Sequence, residues 1–174
     1  MKGNALAELV PLDRIAPEAV EALLDRAFGT DRRTRTAYRV RTGTGALPAL
    51  SFAALAHDGT LAGTIQCWPV ALACNDGTRT PLVMVGPVAV EPHLQQLGVG
   101  RMLMAHMIEA AERGDFPPLM LVGDPEYYGR FFGFTAEHTG GWRLPGPFEQ
   151  HRLLARGTAP DCAGMLEPRV LQPA

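Results

Sequence analysis

Charge of one sign is the first thing this chain lacks: 16 Lys and Arg stand against 18 Asp and Glu in 174 residues, a formal net charge of -2. Wrapping nucleic acid or coating an anionic membrane needs a cationic field, because counterion release supplies much of such affinity. Neither partner is expected, and a small-molecule or protein partner becomes the default. Long apolar runs are missing as well. The longest, Pro81 to Val90, has ten residues, about half of a membrane-spanning helix, so it reads as a buried strand. At the N-terminus Glu8 breaks the chain before an apolar signal core can form, which points to the cytoplasm. Cysteine is scarce: Cys67, Cys74 and Cys162 form no CxxC pair and no metal-ligand spacing, and their odd number argues against a disulfide framework. Each is expected to be a small buried hydrophobe, and no metal site is expected.

What is present narrows the class further. At 47% hydrophobic and 20% charged, the chain carries enough apolar surface to offset the entropy of ordering, so wholesale disorder is excluded. Its length suits one domain spanning residues 1–174. Gly and Pro, at 19 and 15, exceed average usage of roughly 12% together. Either turns are numerous or some glycines have a task.

Periodicity gives the element order. Ala5 to Leu12 reads as a strand, and Val20, Leu23, Leu24, Ala27 and Phe28 recur at helical spacing between Pro17 and Gly29. Thr30 can cap a second helix running to about Thr42, in which Arg32, Arg33, Arg35, Arg39 and Arg41 crowd around Asp31. That run reads as a solvated face or as a lip over an anionic ligand. Leu50 to Ala56, Leu61 to Ala73 and Leu82 to Val90 follow as strands joined by Asp58-Gly59 and Asp76-Gly77 turns, an antiparallel meander. From Gly98 to Arg113 the apolar residues cover one side of a helix, and Pro118 to Val122 then gives a strand parallel to the one before it. A short helix at Glu126 to Phe131 and strands near Thr139 to Leu144 and Gln150 to Ala155 complete the reading; residues 157–174 are strand edge or tail. The fold class is α/β (α+β): a mixed, mostly antiparallel sheet with one parallel pair, flanked by helices.

The most informative segment joins the Leu82 to Val90 strand to the helix opening at Gly98. A strand that runs through a glycine-containing turn into a helix aims backbone N–H groups at an anion, and phosphate is the obvious candidate. Gly98 and Gly100 leave the backbone open to close approach. The spacing is not GxGxxG, and no Gly-Lys-Ser/Thr follows, so a dinucleotide or P-loop site is disfavoured.

Gln95-x-x-Gly98-x-Gly100 resembles the Gln/Arg-x-x-Gly-x-Gly/Ala motif of the GNAT acyl-CoA N-acyltransferases. Val88-x-Val90-x-Pro92, Leu121-Val122-Gly123-Asp124 and Tyr127-Tyr128-Gly129-Arg130-Phe131-Phe132-Gly133-Phe134 resemble the bacterial subgroup typified by YhbS, and the likeness is strongest over residues 5–156. The resemblance implies a GNAT acyl-CoA N-acyltransferase fold and acetyl-CoA as cosubstrate. It also implies a small-molecule or protein amine as acceptor, and dimers are frequent in the family. It assigns the CoA pyrophosphate to the amides of Leu97, Gly98, Val99, Gly100 and Arg101, with Gln95 opening the cradle. Val88 and Val90 would pair with the pantetheine arm as an added strand would. A noncatalytic acyl-CoA-binding module is the alternative.

For direct attack by an amine, the resemblance implies a tyrosine acid beside the leaving sulfur. Tyr128 is the first candidate and Tyr127 the second, because the doubled Phe131-Phe132 sets Tyr128 five residues before Gly133 where relatives have four. On a helix one residue is about 100° of rotation. Asp124 and Glu126, past the end of the Pro118 to Val122 strand, are the candidate bases, although Asp124 can equally cap the short helix. The chain does not reveal the acceptor.

Overall fold

The computed structural model describes residues 7–171, so Ala5 and Leu6 of the expected first strand lie outside the described residues. The strands are β1 (Ala7–Pro11), β2 (Phe52–Ala56), β3 (Leu61–Cys74), β4 (Arg79–Val90), β5 (Leu119–Val122), β6 (Trp142–Arg143), β7 (Leu153–Arg156) and β8 (Gly164–Pro168). The helices are α1 (Pro17–Phe28), α2 (Thr36–Arg39), α3 (Val99–Arg113) and α4 (Pro125–Phe132). Sheet order is β1-β2-β3-β4-β5-β7, with β8 beside β3 and β6 beside β8. β4 and β5 are parallel, through Val83 with Leu119 and Met84 with Met120. Antiparallel neighbours surround that pair, as the meander followed by a crossover requires.

The chain forms two compact units that share the long strands β3 and β4. The first takes residues 7–33, 47–67 and 86–115. Here Val20, Leu23 and Leu24 of α1 bury against Ala89, with Leu12, Ile15 and Leu61 at the margin. Pro17 starts α1 and Gly29, at φ 95°, ends it by donating its amide to Asp25 O. Such a φ favours glycine. The second unit takes residues 34–46, 68–85 and 116–171. Trp142 fills its core beside Leu72, Leu82, Met120, Leu153 and Leu166, and its indole N–H donates to Pro160 O at 3.2 Å. No helix among the described residues is long and apolar enough to cross a membrane.

Two expectations need correction, and one that was left open is decided. The helix expected from Thr30 to Thr42 is broken into a 3-10 turn at Arg32–Thr34 and one turn of α2, because Arg35 is extended at φ -73° and ψ 149°. Bonds to other elements override helix propensity on each piece: Arg32 is tied to Asp25 and Glu21 of α1, and Thr36 Oγ1 donates to Pro147 O. Of the two alternatives left open for residues 157–174, the strand holds, since β8 pairs with β3 from Val70 to Cys74. The cysteines are not all free: Cys74 and Cys162 form a disulfide, their Cα atoms 5.8 Å apart, and Cys67 alone is buried as a thiol. Burial pushes that thiol well above its ordinary pKa. Protein purified without reductant and then unfolded should therefore expose one thiol to a chromogenic reagent, and three after reduction. Three thiols without reduction would refute the crosslink.

Candidate active site

The turn into α3 is the first element. Beyond Val90 the chain takes a 3-10 turn, Pro92–Leu97, and Gly98 follows in the left-handed region at φ 85°, ψ 10°. The α3 ladder opens with Met102 N–H donating to Gly98 O at 3.0 Å, so the amides of Val99 and Gly100 have no acceptor inside the helix. No side chain caps this end and no acid lies in the first turn, which leaves the positive end of the helix dipole uncancelled. A Cβ at Gly98 would meet nothing within 4 Å, so the space over the turn is open. At Gly100 it would only touch Val90 Cγ2 at 3.6 Å and Val88 Cγ1 at 3.8 Å. Gln95 donates Nε2–H to Val90 O at 3.4 Å, holding the turn against β4. Gln95, Leu97, Gly98, Val99, Gly100 and Arg101 are thus gathered in one turn, with Val88 and Val90 beneath it.

That turn is anchored from below. Glu91 donates its amide to Ala62 O at 2.9 Å, and its carboxylate receives Arg26 Nη2 at 2.5 Å. Gly63 is a residue that sequence reasoning missed: a Cβ there would lie 2.9 Å from Ala89 O and 3.0 Å from Val99 Cγ1. Its absence lets α3 sit close on β3. An isolated glycine inside a strand pattern is the signal that could have found it. Since Gly63 faces α3, the alternation of β3 turns Thr64 and Gln66 to the opposite face. Thr64 Oγ1 and Gln66 Oε1 are the buried side-chain atoms without a partner among the described residues. Both can accept a hydrogen bond from a ligand or a water.

β4 pairs with β5 only at Val83 and Met84. Along Gly86 to Val90, Pro87 has no N–H to offer a neighbouring strand. An extended ligand with alternating amides could pair there.

The second element is the turn from β5 into α4. Asp124 caps α4, its Oδ1 accepting the Glu126 amide at 3.1 Å, while Glu126 is exposed. The doubled Phe131-Phe132 is absorbed within α4. Gly133 closes the helix at φ 74°, and Phe134 donates its amide back to Tyr128 O at 3.2 Å. Tyr127 packs edge-on against Tyr128, ring centroids 4.9 Å apart, and tilts on Phe131 at 5.4 Å. Burial, then neighbouring Tyr127, raises the Tyr128 phenol above its ordinary pKa, so it holds its proton at neutral pH.

The arginine-rich segment is solvated in part: Arg33, Arg35 and Arg39 are exposed, while Arg32 and Arg41 are buried. Arg32 is buried on Asp25 and Glu21, and Arg33 also reaches Glu21 at 2.6 Å. Arg39 Nη1 donates to Pro145 O at 2.9 Å. Arg41 stacks over Tyr38 at 3.8 Å and Trp68 at 4.1 Å.

Comparison with known proteins identifies the family and the fold. The model of the acetyltransferase (GNAT) family matches residues 17–134. The chain is 29% identical over 148 residues to the uncharacterized N-acetyltransferase YhbS of Escherichia coli strain K12, covering 83% of this chain and 84% of YhbS. Among solved structures, YhbS from E. coli in complex with CoA superposes with a TM-score of 0.71 at 24% identity, covering 96% of this chain and 92% of YhbS. A GNAT family acetyltransferase from Brucella melitensis in complex with acetyl-CoA gives a TM-score of 0.63 at 22% identity, covering 94% and 96%. The fold is shared with both. With more than half its length matched by the family model, the chain belongs to the GNAT family of acetyltransferases.

Proposed function

We propose that this protein transfers the acetyl group of acetyl-CoA to a primary amine of a small molecule or protein by direct attack, as one catalytic domain over residues 1–174 in the cytoplasm. A homodimer is part of the same reading. The observation that carries it is the acid-free, glycine-opened entry of α3, where the amides of Val99 and Gly100 have no helical acceptor. The residues there fit a diphosphate: Gln95, Leu97, Gly98, Val99, Gly100 and Arg101 would hold it, and the Val88 and Val90 backbone would pair with the pantetheine amides. Acetyl-CoA supplies the activated thioester.

The chain's own groups handle the protons. A lysine-like amine must lose its proton, which at pH 7 costs about 4 to 5 kcal/mol. Asp124 and Glu126 are the proposed bases; Glu126 is the one whose carboxylate stays out of the α4 cap. Tyr128 is the proposed acid for the departing sulfur, because burial keeps its phenol protonated.

CoA release from a panel of primary amines tests the proposal. Acetyl-CoA, but not NAD, should raise the melting temperature, and at least one amine should release CoA in step with its N-acetyl product. Binding without any turnover would replace the enzyme with a noncatalytic acyl-CoA-binding module. Stabilisation by NAD would point to a dinucleotide binder.

A further inference from the structure

We infer that Gly123 is a positioning residue: the bare backbone at the end of β5 is the seat of the Tyr128 ring and fixes where the phenol stands. This rests on the proposed reading of Tyr128 as the acid. A Cβ at position 123 would overlap Tyr128 Cε2, stand 2.8 Å from its Cδ2 and lie 3.2 Å from Leu121 Cδ1. Real Cβ atoms essentially never approach so closely. Gly123 is buried and is not among the glycines with positive φ, so its backbone conformation does not demand glycine. What demands it is the ring.

Neither partner can give way cheaply. Gly123 is pinned by its amide donating to Arg152 O at 2.9 Å, and the next residue, Asp124, caps α4. Tyr128 is pinned by its amide donating to Asp124 O at 2.9 Å and by its carbonyl accepting from Phe134. Its ring is enclosed by Tyr127, by Phe132 at 6.3 Å and by Phe134 at 6.2 Å between centroids. Added bulk at 123 must therefore turn the ring out of its well or shift α4. Proton transfer is confined to about 2.6 to 3.2 Å between heavy atoms, so a displaced phenol loses its reach.

Gly123→Ala tests this through two readouts. In ultraviolet titration the Tyr128 phenol, identified by difference from Tyr128→Phe, should ionise above the ordinary range in the parent and move down in Gly123→Ala. In kinetics kcat should fall about tenfold, a fraction of what a displacement of about 1 Å can cost, with the acetyl-CoA KM within twofold. Adding Gly123→Ala to Tyr128→Phe should lower kcat no further, whatever it costs in melting temperature. An unchanged phenol titration, or a further loss in the double variant, overturns the inference. If Tyr128→Phe keeps full turnover while Gly123→Ala still shifts the titration, the acid reading fails and the positioning stands. Should Gly123→Ala not fold, NMR of the parent decides. Gly123 α-protons under an aromatic face should show a ring-current shift that collapses in Tyr128→Leu, and its absence overturns the inference.

Discussion

Gly98→Val is expected to weaken acetyl-CoA binding at least tenfold while Gly100→Ala leaves it within threefold. The two glycines stand two residues apart and differ in what they require. Gly98 is left-handed, at φ 85°, a conformation that costs an L-residue roughly 1 to 2 kcal/mol and a β-branched one more. A valine there relaxes toward negative φ, which swings the Val99 and Gly100 amides off their common direction, and its side chain enters the space over the turn. Apart from its chain neighbours, no protein atom lies within 4 Å of a Cβ at 98, so packing against the rest of the protein does not account for the loss. Since about 1.4 kcal/mol is a factor of ten in affinity, the backbone cost alone approaches the expected effect. Gly100 has no positive φ, and a methyl there meets the two β4 valines at ordinary contact distance. Alanine also favours the helix by up to about 1 kcal/mol. Calorimetric titration with acetyl-CoA decides, with melting temperature as the control for folding. Equal losses at both positions, or none at 98, would remove the α3 turn from the CoA site.

The contrast shows which features of the site are legible in a sequence. That turn could be read because its physics is local: a strand's apolar run ends, glycines appear, and a helical period begins within a few residues. The meander could be read for the same reason, since Asp58-Gly59 and Asp76-Gly77 sit between runs of strand length. Features set by distant partners could not. β8 has almost no alternating pattern of its own and exists because β3 offers an edge from Val70 to Cys74. Arg169, just beyond it, donates to Val70 O at 2.9 Å and Leu82 O at 3.2 Å. The helix expected through Arg35 had acceptable propensity, yet Arg32 turns back to Asp25 of α1, and Thr36 and Arg39 each follow a long-range partner. The Cys74 and Cys162 pairing is invisible to spacing, because 88 residues separate them. An odd cysteine count says nothing about which two meet.

The same division runs through the proposed catalytic residues. Asp124 and Glu126 were visible as acids after a strand, and the cap that engages Asp124 is a local rule. The sequence ranks Tyr128 before Tyr127, but helical rotation alone does not tell where either ring packs. The seat is Gly123, five positions upstream of Tyr128 and at the end of a different element. Strand end, cap and helix must all be in place before a phenol acquires an address.

Tyr128→Phe is therefore expected to be the most damaging single-atom change: kcat lower by about 10²-fold, at the modest end of what general acids contribute, with the acetyl-CoA KM within twofold. Phenylalanine keeps the ring against Gly123, Phe132 and Phe134, so the fold should be intact and the melting temperature nearly unchanged. The pH profile gives an independent check. The acid works only while protonated, and burial raises the phenol above its ordinary value, near 10 for a free tyrosine. Activity should persist through neutral and mildly alkaline pH and fall only above that range, and this alkaline limb should vanish in Tyr128→Phe. Tyr127→Phe is the comparison: its ring packs on Phe131 and Phe132, and its loss should cost less than fivefold. If Tyr127→Phe proves the more damaging of the two, the acid is Tyr127. If both variants turn over at the parent rate, the departing thiolate leaves without help from either phenol, and its proton comes from solvent.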